Sequence, residues 1–186
     1  MEELCDSFSL ERVGKSGAKF DFDKTKWFNQ QYLRAKSKRD LAQELQVILK
    51  TNEIEVDNEY VELVCEQLKQ RATFTKDMWE EGKYYFLPPT EYDAKTIRKK
   101  WEKETSKFLT EFKNRLESIT DFKAENIELA FKEYLQERNL AMGKLLPAFR
   151  ISLTGLGTGP SLFDIASLLG KSETIKRLET ALKNIS

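Results

Sequence analysis

The segment Ser37–Lys50, which reads SKRDLAQELQVILK, decides the class of fold. Its large apolar residues follow the i, i+4, i+7, i+8 spacing, which places them on one face of an α-helix. Ser37 precedes this run, and Asp40 stands three residues later as its capping-box partner, so a helix is expected to begin here. The residues of the buried face are Leu41, Leu45, Ile48 and Leu49.

Helical spacing continues on both sides of this segment. Upstream, Lys24–Arg34 carries its apolar residues close to one stripe. Downstream, Asp57 and Thr75 are expected to cap two further helices, and Asp93 opens the longest pattern, which runs to Leu116. Further helices are expected over Ile127–Leu135, over Gly143–Leu153 with Pro147 near its first turn, over Leu162–Leu169 between a Ser161 cap and Gly170, and after Ser172.

Strand-like alternation is weak and confined to residues 19–22 and 84–87, so the sequence predicts an all-α protein. Pro88-Pro89 is the strongest break, because neither proline can continue a helix and each favours an extended predecessor. We therefore expect two helical subdomains, residues 34–90 and 91–186, after a first segment of residues 1–33. No repeat with a period of 20–50 residues is present.

Composition excludes several functional classes. The 186 residues include no histidine, which removes Ser-His-Asp and Cys-His catalysis and makes an ordinary zinc site improbable. Cys5 and Cys65 form no CxxC pair and are expected to be reduced thiols. No apolar run reaches the ~18 residues of a membrane helix, and Met1-Glu-Glu does not begin a signal peptide. A cytoplasmic location, away from any membrane, is therefore expected.

Two motifs invite functional interpretations that their context does not support. The loop Gly155–Pro160, GLGTGP, lacks GxGxxG spacing, a preceding strand and a following GK[ST], so it predicts a tight turn before a helix N-terminus. Asp21 and Asp23 have the DxD form of a metal site, but no further Asp or His lies in register. Capping or surface carboxylates are expected there, and no metal.

Basic residues cluster locally, although Lys+Arg and Asp+Glu both number 31. Arg34–Arg39 holds four cations, Lys15–Lys26 holds four more, and Arg98–Lys100 forms a third group. Such runs are usually solvated helix faces. With the nearby rings they also fit a surface that follows phosphates and stacks bases, and charge alone leaves both interpretations open. The rings are Trp27, Phe28 and Tyr32.

Two stretches carry a resemblance to a known family. The first is Ser16–Asp21, SGAKFD, with Lys24, Trp27 and Asn29 after it. The second comprises Arg150–Gly155, Gly159-Pro160, Leu162-Phe163, Leu168–Lys171 and Arg177-Leu178. Together they resemble the C-terminal part of bacterial glutamyl-tRNA synthetases, class I enzymes that attach glutamate to its tRNA with ATP.

The resemblance implies a helical bundle or cage of the class I synthetase anticodon-binding type. In the family's order, residues 1–33 would be the end of the stem-contact region and the first helix. The family's Rossmann catalytic domain, with its HIGH and KMSKS motifs, has no counterpart in this sequence. The chain is thus expected to have no catalytic residue and no cofactor of its own, since ATP and Mg belong to the catalytic domain. Its expected partner is tRNA-Glu, and the protein is expected to be a monomer.

The resemblance also implies site residues. Arg150 and the following loop would face the anticodon, and Arg71 would contact the last anticodon base, with slippage to Lys69 left open. The implied loop and helix-start contacts are Thr158, Gly159, Pro160 and Leu162, with Leu162 packing on a base or lying in the core. From charge alone we expect tRNA backbone contacts at Lys24, Lys26, Arg34, Lys36, Lys38 and Arg39.

Two other classes remain open at this point. A helical protein-interaction scaffold would expose an apolar stripe, and the twelve phenylalanines favour it. A stand-alone enzyme would need converging polar groups, which a chain without histidine or an activated nucleophile does not offer.

Overall fold

A computed structural model describes residues 2–10, 17 and 19–185, and Lys15, Ser16 and Ala18 lie outside these ranges. Within them the regular secondary structure is helical, so the all-α prediction is confirmed and the weak strand pattern is not realised. The helices are α1 (Glu2–Ser7), α2 (Phe22–Ala35), α3 (Lys38–Thr51), α4 (Asn58–Leu68), α5 (Thr75–Gly82), α6 (Ala94–Lys100), α7 (Thr105–Glu117), α8 (Ala124–Glu137), α9 (Met142–Thr154) and α10 (Leu162–Asn184), with a 3-10 turn at Lys83–Tyr85.

Three of the predicted helix caps are confirmed. Ser37 accepts the Asp40 N–H at 3.1 Å, and Asp57 accepts the Glu59 N–H at 3.0 Å. Ser161 acts in the same way at α10, and Asp93, where the long pattern opens, also caps α6. The prediction of Thr75 as a cap is wrong by one residue, because Phe74 is the N-cap position of α5 and the stabilising side chain comes from the first turn of the helix. The carboxylate of Asp77 accepts the N–H groups of Thr73 and Phe74, so Thr75 is already helical.

The long pattern that begins at Asp93 is interrupted in the structure. α6 ends at Lys100, and α7 starts again at Thr105. The Thr105 hydroxyl accepts the Glu102 N–H at 2.9 Å, and the Trp101 indole donates to Ser106 at 3.2 Å. Side-chain hydrogen bonds thus stabilise this turn, which contains neither glycine nor proline.

Two further differences concern α9 and α10. α9 begins at Met142, which makes Pro147 its sixth residue rather than part of its first turn. Gly170 breaks α10, as expected. Its φ of 79° is a backbone conformation that residues with a side chain rarely adopt.

Two hydrophobic cores fill the molecule. The front core holds the buried faces of α3 and α4 with Met78, Tyr84 and Tyr85, and the back core holds those of α7, α8 and α9. α10 contributes to both, since Ile165 packs in the front core while Phe163 and Ala166 pack in the back one. The helix therefore joins the two halves on either side of the Pro88-Pro89 segment.

The two cysteines are free thiols, as the sequence predicts. Cys5 is exposed, and Cys65 is buried in the front core, where burial raises the pKa of its thiol to about 12; neither forms a disulfide. In the part of the chain that the structure describes, every helix is too short or too polar to cross a membrane.

Candidate nucleic-acid interface

Arg150 lies on α9, is half-buried, and has Gly159 beside its guanidinium. Its Nη1 atom is inaccessible and has no hydrogen-bond partner among the described residues. Burial lowers the pKa of this guanidinium, and Arg71 acts in the same direction, whereas Tyr84 and Tyr85 oppose them. The group stays charged, as arginine does in proteins. A buried cationic donor without an acceptor is rare in folded proteins, so this position calls for a functional explanation.

The loop after α9 is shaped by two local features. Gly155 has a φ of 75°, and its N–H donates to the Ile151 carbonyl at 2.8 Å, which ends the helix. The Gly155 carbonyl then accepts the Asp93 N–H at 2.8 Å. Thr154 Oγ1 accepts the Leu156 N–H at 3.1 Å. These bonds hold the start of the loop against the segment that opens the back half.

Gly159 brings this loop beside Arg150. A β-carbon at position 159 would lie 2.9 Å from Nη1 of Arg150 and 3.7 Å from the Tyr84 hydroxyl. Only a residue without a side chain allows this approach, so the backbone of the loop passes next to both groups. The expected site residues Arg150 and Gly159 are therefore brought together.

Arg71 lies in the turn after α4, with its side chain 45% exposed. Its Nε is 3.7 Å from a carboxylate oxygen of Glu81 on α5. The charge of Arg71 acts on both Arg150 and Tyr84. Two arginines from distant parts of the sequence thus share one electrostatic environment. We call Arg71, Tyr84, Arg150 and Gly159 the arginine cluster.

Tyr84 enters the cluster from the 3-10 turn. Its side chain is 3% exposed, and its hydroxyl has no hydrogen-bond partner among the described residues. Burial raises the pKa of Tyr84 to about 12, while the neighbouring Tyr85 hydroxyl and then the charges of Arg150 and Arg71 act against that rise. The adjacent Tyr85 packs against it, with ring centroids 4.8 Å apart, on the side of the front core.

Arg177 fixes the backbone under the cluster. The side chain is 3% exposed, and its Nη1 donates to the carbonyls of Tyr84 at 2.6 Å and Leu153 at 2.9 Å. Its Nε donates to Glu173 at 2.7 Å. One buried cation thus ties the 3-10 turn to the end of α9, and the positions of Tyr84 and Arg150 are coupled through it.

The remaining loop predictions have different outcomes. Thr158 is exposed and Pro160 is partly exposed, so both are accessible to a ligand. Leu162 is only 2% exposed and packs in the back core. The expectation that its side chain packs on a base is therefore corrected, because a buried leucine offers no face to a ligand.

One of the expected backbone-contact residues, Arg34, lies next to the Arg71 turn, and most of these residues have partners. Arg34 donates from Nη2 to the Gln70 carbonyl at 2.8 Å, which fixes the end of α2 beside the Arg71 turn. Lys36 pairs with Glu44, and this contact together with one from Thr75 lowers the pKa of Glu44. The other contacts are Lys38 with Glu62 at 3.6 Å, Lys26 with Asp23 at 3.9 Å and Lys24 over the Phe28 ring at 6.0 Å, while Arg39 is exposed.

α2 also carries exposed aromatic rings. Trp27 is 56% exposed and Tyr32 72%, and the Trp27 and Phe28 rings are in edge contact at 5.1 Å. Asp21 caps this helix by accepting the Asp23 and Lys24 N–H groups at 3.0 Å, which accounts for one carboxylate of the DxD motif. Among the described residues no group of three or more Asp, Glu or Cys is placed to hold a metal ion.

Three residues of the site were not singled out as site residues from the sequence. Tyr84 falls in a stretch interpreted as weak strand alternation, and Glu81 is one acid in a helix rich in acids. Arg177 belongs to the family resemblance, but its burial depends on contacts made far along the chain. The closest local signal is the pair Tyr84-Tyr85 just after Gly82, where aromatic residues follow a helix end.

The arrangement can bind an anionic or polar planar ligand. Arg71 and the half-buried Arg150 offer guanidinium donors, and the loop before Ser161 leads to the N-terminus of α10. Aromatic and basic residues of α2 extend the surface from the Arg71 turn. This combination is typical of single-stranded nucleic-acid recognition.

Comparison with known proteins identifies the class. Residues 31–182 match the family model described as the anticodon binding domain, so the chain belongs to the family of anticodon-binding domains.

The relatives are more specific. The chain is 42% identical over 184 residues to the glutamate–tRNA ligase of Amoebophilus asiaticus and 40% identical over 183 residues to that of Phocaeicola vulgatus. These alignments cover 99% and 98% of the chain but 36% of each relative. The chain thus spans about a third of the length of these relatives.

Solved structures agree. A crystal structure of a glutamate tRNA ligase from Elizabethkingia meningosepticum, in complex with its amino acid, has a TM-score of 0.93 and 36% identity. The match covers 100% of this chain and 37% of that one. Glutamate-tRNA synthetase from Elizabethkingia anophelis has a TM-score of 0.88 at 35% identity, over 98% of this chain and 36% of that one.

Proposed function

We propose that this chain binds the anticodon loop of tRNA-Glu as the anticodon-reading part of a glutamate–tRNA ligase. The observation that carries the proposal is the half-buried Arg150, whose Nη1 has no acceptor beside Gly159 and Tyr84. The family assignment and the relatives' names support the same role.

The chemistry of an anticodon fits this cluster. Its bases are single-stranded, so their edges are open to side-chain and backbone donors. An arginine fork can donate two parallel hydrogen bonds to one base edge or phosphate, which a lysine cannot do. Thr158, Gly159 and Pro160 border Arg150 and would contact the same loop, whereas Arg71 would contact a second base.

The basic residues on α2 and α3 would follow the tRNA backbone. Arg39 is exposed, and the ion pairs of Lys26, Lys36 and Lys38 lie at the surface, where such pairs contribute about 0–1 kcal/mol. Phosphates can therefore replace the carboxylates at low cost. This makes binding sensitive to salt even though the formal net charge is zero.

Catalysis would reside elsewhere in a longer protein. The support for this is that the relatives are about three times longer than the chain. ATP and Mg would bind the part of such a protein that precedes this one. Within it the chain would act as a monomer in the cytoplasm, in two helical subdomains of residues 34–90 and 91–186.

A titration of the 186-residue chain with a glutamate anticodon stem-loop tests the proposal. We expect binding that weakens steeply between about 50 and 200 mM salt. Arg150→Ala should abolish most of it, whereas Arg138→Ala is the matched control, because Arg138 pairs with Glu111 outside the cluster. Equal binding by the parent and by Arg150→Ala, or no binding by the parent, would contradict the proposal.

A protein-interaction scaffold is the second candidate, and the exposed rings of α2 favour it. Such a chain would bind a protein partner through Trp27 and Tyr32 without a dependence on salt. Replacing both rings with serine distinguishes the two. The scaffold predicts unchanged stem-loop titrations, and the RNA-binding role predicts weaker ones.

A further inference from the structure

Tyr84 contributes an unusual buried group to the arginine cluster. Its ring is held in the front core, its carbonyl is bound by Arg177, and its hydroxyl is inaccessible and forms no hydrogen bond of normal geometry, although the Tyr85 hydroxyl interacts with it. Burying a hydroxyl without a hydrogen bond costs stability, so such groups are uncommon in folded proteins. The hydroxyl therefore calls for a role that the fold alone does not provide.

The polar atom that shares this space is Nη1 of Arg150. Both atoms lie within 4 Å of the point where a β-carbon of Gly159 would stand, and neither has a hydrogen-bond partner. One is an obligate donor and the other can accept, so the two are chemically complementary. A hydrogen bond from the guanidinium to the hydroxyl would satisfy both of them.

The other donors of the same guanidinium determine what that hydrogen bond achieves. When Nη1 bonds to Tyr84, the planar group is fixed in one orientation, and its remaining donors are left for a ligand. Thr158 and Pro160, on either side of Gly159, are accessible to the same ligand. Pre-orienting a side chain reduces the conformational entropy lost on binding.

We infer that Tyr84 is a positioning residue of the anticodon site: its hydroxyl accepts Nη1 of Arg150 when RNA binds and so sets the angle at which Arg150 meets the base. This inference rests on the proposed function. It assigns Tyr84 a contact with Arg150 and none with the RNA.

We expect that the hydroxyl of Tyr84 can be removed without disturbing the fold. Tyr84→Phe keeps the ring and deletes a group that has no partner, so thermal stability should be unchanged or slightly higher. Tyr85→Phe is the matched control, since it also deletes a buried hydroxyl, the one beside Tyr84, but leaves the Tyr84 hydroxyl in place for Arg150. We expect Tyr84→Phe to weaken stem-loop binding about tenfold and Tyr85→Phe to leave it within about twofold.

The same two variants in an Arg150→Ala background separate positioning from other roles. A residue that acts through Arg150 has no further effect once Arg150 is gone, so Tyr84→Phe should then change binding less than twofold. Parent-level binding by Tyr84→Phe, a tenfold loss that persists in Arg150→Ala, or a lowered melting temperature would each overturn the inference. Absence of binding by the parent chain would overturn the proposed function itself, and this inference with it.

Discussion

Gly159 and Arg150 are in such close contact that a β-carbon at position 159 would stand 2.9 Å from Nη1 of Arg150. Only the far end of a flexible side chain occupies that space, so the contact constrains the site more than the fold. The absence of a side chain in the loop thus determines where a cation on the neighbouring helix can lie.

Gly159→Ala should therefore impair binding rather than folding. The new methyl group displaces the guanidinium of Arg150, and we expect stem-loop affinity to fall about tenfold while the free energy of unfolding changes by less than about 1 kcal/mol. Titration and urea unfolding measure the two effects. Gly143→Ala is the control, because no atom lies within 4 Å of its added carbon. Parent-level affinity in Gly159→Ala would show that Arg150 does not depend on this contact.

Gly155 has a different role, because its constraint comes from the backbone. Its φ of 75° costs an alanine about 1–2 kcal/mol, and an added carbon would overlap the Glu91 carbonyl. We expect Gly155→Ala to lower the free energy of unfolding by at least about 2 kcal/mol. Gly143→Ala, inside α9, should instead raise it by about 0.5–1 kcal/mol. Equal urea midpoints for the two variants would contradict this account of the loop.

Much of the helical framework could be predicted from the sequence, because caps and periodicity are local. Ser37, Asp57 and Ser161 each bond backbone N–H groups within three residues, so their effect is visible in the sequence. The break between α6 and α7 was missed because Trp101 continues the apolar spacing. The bonds that stabilise that turn come from the hydroxyls of Thr105 and Ser106, which have no turn signature of their own.

The site was only partly predictable, for a physical reason. Arg150 and Gly159 fall in one motif, but the contact between Arg150 and Tyr84 depends on how α9 packs against the front half. Arg177 joins Tyr84 to Leu153 across long sequence separations, and no local pattern encodes such a contact. The burial of Leu162 has the same origin, since a leucine after a cap fits either a core or a ligand surface.

Arg177 should be among the most sensitive positions for stability. Arg177→Met leaves the carbonyls of Tyr84 and Leu153 without their buried donor, and we expect a loss of about 3 kcal/mol. Lys176→Met is the matched control, since Lys176 is the exposed neighbour on α10. Urea unfolding measures both. Similar midpoints for the two variants would mean that Arg177 does not hold the 3-10 turn against α9.

Stability should decline at alkaline pH. Burial raises the pKa of Cys65 from 9.0 and those of Tyr60 and Tyr84 from 10.0, each to about 12. The unfolded chain therefore releases these protons at lower pH than the folded chain does. Between about pH 9 and 12 the folded state holds more protons than the unfolded state at the same pH, so raising the pH favours unfolding. Stability from these groups is complete below about pH 9 and is lost above it.

Urea unfolding at about pH 8, 9.5 and 11 measures this decline. Each group contributes a slope of at most about 1.4 kcal/mol per pH unit. Tyr84→Phe should flatten the decline above pH 10, where tyrosine normally ionises, and leave the values near pH 8 unchanged or slightly raised. An identical decline in the variant and the parent would mean that Tyr84 ionises as freely in the folded chain as in the unfolded one.

Arg71 is the residue through which the chain would distinguish two tRNAs. The family resemblance places it on the last anticodon base, a C in glutamate tRNA and a G in glutamine tRNA. An arginine can donate to the acceptors of cytosine, whereas the Watson–Crick edge of guanine presents donors. The 3.7 Å contact with Glu81 leaves Arg71 45% exposed, so it is accessible to a base.

We expect the parent to bind the glutamate stem-loop and Arg71→Gln to bind the glutamine stem-loop as well. Lys69→Gln is the control for a shift of the reader along the chain, because Lys69 lies two residues before Arg71 and pairs with Glu66 at 2.8 Å. If Lys69→Gln gains the glutamine loop and Arg71→Gln does not, Lys69 is the reader, and if the parent already binds both loops equally, neither residue discriminates.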